Sequence, residues 1–233
     1  MKTRQEIKAL GKEAFVQQRG TAILLELAFF GVAIAAGLVI GTIFGLTGSW
    51  LVYFVLFVAF ILGISVLLVN AYGEHIKVYR RETASVGAMF AGLKVNFWRK
   101  LGGILWMELF VLLWSLLFVI PGIVKSLAYS MAPAILADHP DVEARQALKI
   151  SMKITNGYKL DIFVFSLSFI GWFMLSSLTL GILYFVYVGP YFYTSYAGLY
   201  QELRDKALRD GKITREELGM TETPAPHDPV IIN

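Results

Sequence analysis

The sequence predicts an all-helical membrane protein: a polytopic bundle of about six transmembrane helices in three hairpins, each preceded by a cytoplasmic amphipathic helix. Three observations carry that expectation. Of the 233 residues, 57% are hydrophobic and 16% charged, against about 45–50% and about 25% in soluble domains. The apolar residues gather into runs of about 20, the length that crosses a hydrocarbon core. Every Lys and Arg except Lys125 falls in four segments, and tight turns without positive charge separate the runs between them.

The elements follow in order. A charged, helix-like stretch, Arg4–Gln18, precedes the first span, Thr21–Leu46. That run is too long and too far along the chain to read as a cleavable signal peptide, so it is expected to remain in the mature protein. A turn at Thr47–Ser49 leads to the second span, Trp50–Tyr72. In "SVGAMFAGLKVNFW", Val86, Phe90, Leu93 and Phe97 recur at helical spacing. The third span is Leu101–Ile120 and the fourth Gly122–Ala137, with Pro121–Gly122 as their turn. Asp141 is a good N-cap and Gly157 a good stop for the next helix. On it Arg145, Lys149 and Lys153 form one basic stripe, placed to contact anionic lipid headgroups. The fifth span is Leu160–Leu180 and the sixth Ile182–Leu203, joined at Gly181. Residues 1–205 are expected to form the membrane domain, and 206–233 a polar cytoplasmic tail, partly disordered.

Positive charge marks the cytoplasmic side, so both termini are expected there. Each short helix meets its span at a basic junction: Arg19, Arg99–Lys100 and Lys159. The layout of helix, span, turn and span thus recurs three times, as in repeat-built membrane bundles.

The stretches "IPGIVKSLAYSMAPAILADHP", "ALKISMKITNGYKLDIFVFSLSFIGWFMLSSLTLGI" and "VGPYFYTSYAGLYQEL" resemble a bacterial integral-membrane family catalogued as domain of unknown function 975. The resemblance runs from about Met1 to Leu203. Its most specific pieces are Ile120–Pro121–Gly122, Ala137–Asp138, the Gly157–Tyr158–Lys159 junction, Gly171–Trp172, and Pro190–Tyr191 with Tyr200. It implies a helical membrane fold in a bacterial cytoplasmic membrane, and it assigns no activity.

Signs of catalysis are scarce. There is no cysteine, hence no thiol chemistry or Cys-ligated metal. His75, His139 and His227 lie apart, without metal-ligand spacing. No phosphate loop or nucleophile elbow is present. "DKALRDGKITREEL" mimics half a calcium loop, but Lys206 and Leu208 stand where oxygen ligands are required. We therefore expect no enzyme, no cofactor, no metal and no nucleic-acid partner.

Charges inside the spans are a sharper signal, because a buried ionisable group is costly and marks a candidate site. Glu26 and Glu108 fall at similar depths and could share a cavity. Lys125 lies near the outer side, where it can snorkel. Tyr184, Tyr187 and Tyr191 share one helix face; Tyr193, Tyr196 and Tyr200 lie nearly opposite, with Gly189–Pro190 between. A kink there is expected to turn Tyr191 or Tyr193 inward, its hydroxyl held by a carboxylate or a freed carbonyl.

Two functions remain. The favoured one is a membrane scaffold or accessory protein engaging lipid, another membrane protein or a second copy of itself through its basic cytoplasmic face. The alternative is a small transporter or channel using Glu26, Glu108 and the kinked sixth helix.

Overall fold

The computed structural model describes residues 2–220. Among these the chain is helical throughout, without strands. The helices are α1 (Arg4–Gln17), α2 (Arg19–Thr47), α3 (Trp50–Arg80), α4 (Val86–Ala91), α5 (Phe97–Leu117), α6 (Val119–Tyr129), α7 (Ala132–Asp138), α8 (Ala144–Thr155), α9 (Lys159–Leu167), α10 (Ile170–Leu178) and α11 (Gly189–Arg209). Short 3₁₀ turns at Gly92–Lys94 and Glu216–Leu218 and a π-turn at Tyr184–Val188 complete the described chain.

Local chemistry accounts for most boundaries. Thr3 opens α1 with a capping box: its hydroxyl accepts from the Glu6 amide, and the Glu6 carboxylate accepts from the Thr3 amide. Gly48 ends α2 in the left-handed conformation (φ 61°), and the Ser49 hydroxyl caps α3 at the Val52 amide. Ser85 caps α4 in the same way. Pro133, which lacks an amide hydrogen, sits in the first turn of α7, so the fourth span divides into α6 and α7.

Five helical segments are long and apolar enough to cross a membrane: Arg19–Thr47, Trp50–Arg80, Phe97–Leu117, Val119–Asp138 and Lys159–Leu178. The expected sixth span is not among them. It comprises the π-turn and α11, which carry Thr194, Ser195, Gln201, Glu202 and Arg204. The physical reason is position. α11 packs against α1, α2, α3 and α8, and Tyr191 and the run Thr194–Tyr200 are buried. An axial helix touches protein rather than lipid, and so is free to be polar.

The molecule has two unlike ends. At the charged end, α1, α4, α7, α8 and the last turns of α3 and α11 form a dense core. Ile7, Phe15, Ile135, Leu136, Ile150 and Tyr200 are at most 1% exposed there. At the opposite end the side chains face outward: Leu46 is 82% exposed and Leu178 81%. So much contiguous apolar surface marks a membrane-facing zone.

The amphipathic segments need correction in one respect. The apolar faces of the first and third pack on protein, while Phe90 of the second is exposed and Val86, Leu93 and Phe97 are half-buried. α1 buries Ile7, Gly11, Ala14 and Phe15 and lies along α11; α8 buries Ala147, Leu148, Ile150 and Ile154 against α5, α6, α7 and α11. The second is also shorter than its periodicity implied, because the chain passes into a 3₁₀ turn at Gly92. α8 starts at Ala144 with Glu143, not Asp141, at the N-cap. The tail continues the fold: Ile213 and Leu218 are buried in the main core. The disorder expected for "TETPAPHDPVIIN" lies outside the described residues.

The α1–α11 contact is close enough to test. A Cβ on Gly11 would lie 2.7 Å from Ser195 Cα, whereas one on Gly20 would meet nothing within 4 Å. Gly11→Val should destabilise the protein by about 1–3 kcal/mol through overpacking, while Gly20→Ala should be neutral or stabilising. Unfolding in detergent checks both, and an unperturbed Gly11→Val would contradict the docking.

Candidate functional site

Three polar clusters interrupt the apolar packing. The deepest is on α2, α3 and α11. Glu26 is 4% exposed, and its Oε1 lies 3.2 Å from His75 Nε2. His75 Nδ1 is 3.4 Å from Thr194 Oγ1, and the Tyr193 ring stacks on the imidazole at 5.5 Å. Tyr72 closes the group edge-on to Tyr193. Beside it is a cavity of about 20 Å³, lined by Glu26, Tyr72, His75, Tyr193 and apolar side chains, room for about one water. Glu26 also leans on the helix irregularity: a Cβ on Gly189 would come within 3.3 Å of its carboxyl carbon. The irregularity is a π-turn at Tyr184–Val188, just before the Gly189–Pro190 position where a kink is expected, and α11 starts at Gly189. A π-turn in a helix is often found at a functional site.

The second cluster lies at the charged end and has a single carboxylate at its centre. Asp138, at the end of α7, accepts two parallel bonds from Arg80, both 2.7 Å. It also accepts from Arg204 Nη1 at 3.0 Å and from the Tyr200 hydroxyl at 3.2 Å. His139 Nε2 is 3.4 Å away. Next to it, Arg99 donates to the carbonyls of Leu136, His139 and Val142, covering the carbonyl end of α7. Lys100, 7% exposed, donates to Asn70 Oδ1 and the Gly92 carbonyl, and Asn70 Nδ2 donates to the Met89 carbonyl. Asn70, Arg80, Arg99, Lys100 and Asp138 border a polar recess of about 500 Å³.

The third cluster is at the rim of α8. The Arg145 guanidinium lies over the Trp106 ring at 4.6 Å, and Trp106 stacks on Phe110 at 5.6 Å. Lys149 is exposed one turn further on. Lys153, the third residue of the expected stripe, is held by the Glu217 carboxylate. That hydrogen bond draws the Glu217 carboxyl below its ordinary value.

The sequence candidates therefore separate. Glu26 is inside a cluster. Glu108 is not: it is exposed on the outside of α5, so the two glutamates share no cavity. Lys125 lies 5.0 Å from the Trp114 ring centre and 5.8 Å from that of Tyr129. Tyr193 lines the Glu26 cavity, whereas Tyr191 packs on Phe169 and Tyr187. The tyrosine tethered to a carboxylate is Tyr200. Sequence reasoning missed His75 because the second span was ended at Tyr72, although α3 runs to Arg80. It missed Asp138 as a hub because Arg80 and Arg204 lie 58 and 66 residues away.

These features define a class: a helical membrane bundle with buried ion clusters. Residues 116–207 match the family described as "Protein of unknown function (DUF975)", the family the sequence resembles. The match covers less of the chain than the resemblance suggested. It includes Asp138, Arg145, Lys149 and Tyr200, and excludes Glu26 and His75. No curated protein and no solved structure matches the chain.

The Glu26–His75 pair is testable by substitution. His75→Phe alone should cost about 3–5 kcal/mol, because it leaves a buried carboxylate without its partner. Adding Glu26→Gln should recover most of that loss. Glu108→Gln, on an exposed face, should stay within about 0.5 kcal/mol of the parent. Detergent unfolding of the four proteins separates these outcomes, and equal stability of His75→Phe and the parent would contradict the pairing.

Proposed function

We propose that the protein is a non-enzymatic membrane accessory or scaffold protein. In this reading the charged end faces the cytoplasm, three parallel helix units supply the frame, and its outward-facing cations engage anionic lipid. One observation carries it. The interior ion pairs at the charged end are mutually satisfied, while Lys94, Arg145, Lys149, Lys159 and Arg209 have no carboxylate partner among the described residues. Free cations at the foot of a membrane-facing bundle are the groups that interact with a negatively charged leaflet.

The runner-up, proton-coupled transport through Glu26, draws on the intramembrane Glu26–His75 pair and the π-turn beside it. Against it, the adjoining cavity has room for about one water, and Glu108 stands outside it.

The test is lipid dependence. In detergent supplemented with phosphatidylglycerol, the unfolding midpoint should exceed that with phosphatidylcholine, and the difference should shrink as salt is raised. Equal midpoints at low salt would contradict lipid engagement. A proton flux in proteoliposomes that is abolished by Glu26→Gln would favour transport instead.

A further inference from the structure

We propose that the recess between α5, α6 and α8 binds one anionic phospholipid, with its phosphate between Arg145 and Lys149 and an acyl chain along Trp106 and Phe110. This rests on the lipid-engaging reading above and narrows it to one site. The recess encloses about 330 Å³ and is lined by Trp106, Phe110, Tyr129, Leu148, Met152 and the two cations. That volume is within the range of small-molecule sites.

Three features fit a lipid rather than a soluble anion. The walls are apolar and aromatic: Phe110 stacks on Trp106 and also meets the Tyr129 ring at 6.3 Å. Two of its wall residues are spaced along α5, which is long and apolar enough to cross a membrane. At 1.5 Å per residue, Trp106 and Phe110 lie about 9 and 15 Å along α5 beyond Lys100, from the basic junction towards the apolar end. Its cations stand only at the α8 side, where a headgroup would lie. A free inorganic phosphate would gain nothing from an apolar slot, whereas a phospholipid uses both parts.

The cations are also available and placed. Neither Arg145 nor Lys149 has a carboxylate partner among the described residues. Stacking on Trp106 holds the guanidinium at the mouth of the slot, so less side-chain freedom is lost when it binds an anion. The larger polar recess nearby lacks this property. Its Lys77 is engaged by Glu74, Arg80 by Asp138, Arg99 by carbonyls and Lys100 by Asn70.

The experiment is lipid retention by the full chain, read by native mass spectrometry after delipidation and titration with phosphatidylglycerol or phosphatidylcholine. The parent should retain one phosphatidylglycerol in preference to phosphatidylcholine. Arg145→Gln with Lys149→Gln should weaken that retention about 30-fold, roughly fivefold per lost charge. Both residues are exposed, so the core is spared. Met152→Trp, which fills the slot, should displace the lipid with both cations intact. Lys153→Gln should leave retention unchanged, since Glu217 occupies that cation. Equal retention by the parent and the double variant would overturn the site, as would displacement by Lys153→Gln alone. If the double variant keeps both its lipid and the stabilisation by phosphatidylglycerol, the site fails and the broader reading stands. If the parent itself shows no preference for phosphatidylglycerol, both fail.

Discussion

A single buried carboxylate organises the charged end of this protein. Asp138 receives Arg80 from the end of α3, Arg204 from α11 and the hydroxyl of Tyr200, also from α11. Three helices that return from the apolar end thus finish at one point. A buried ion cluster of this kind is not the cheapest source of stability, since apolar residues of equal volume often serve as well. Its value lies in specificity. Apolar helices can slide or rotate past each other at little cost, whereas a two-pronged Arg–carboxylate pair accepts one register.

Other features follow from that fixed point. Arg99 covers the carbonyls where α7 ends, which sets the course of the chain into α8. α8 then lies with its apolar face on α5, α6, α7 and α11 and its cations outward. With α8 placed, Arg145 stands over Trp106 and the slot between the helices exists. On the other side of α11, α1 is drawn in close by Gly11 against Ser195. The apolar end has no comparable lock. Its helices carry exposed leucine, valine and phenylalanine, and the bilayer supplies their remaining contacts.

Much of this was legible in the sequence, and the losses have physical causes. The tight turn at Gly48 and the reversal at Leu180–Gly181 fall where expected, because positive φ at those residues leaves few alternatives. The sequence predicts a turn at Pro121–Gly122, yet the chain reverses at Phe118. Proline is tolerated in the first turn of α6, and Gly122 is small because a Cβ there would strike Ser115. Depth along a span carries no information about which face a residue occupies. Glu26 and Glu108 share a depth, but one is buried and the other exposed. Arg80 and Arg204 carry a topology signal in the sequence, and nothing local to either residue reveals that both end on Asp138. Pairings at such sequence separation arise only from the assembled bundle.

The most direct test of this account is a double-mutant cycle on Asp138→Asn and Arg204→Gln, read from SDS-induced unfolding in mixed micelles. If the cluster locks the charged end, each single substitution should be strongly destabilising. The pair should lose far less than the sum, with a coupling energy of about 1–3 kcal/mol. Additive losses, or single variants as stable as the parent, would show that Asp138 does not hold the three helices together.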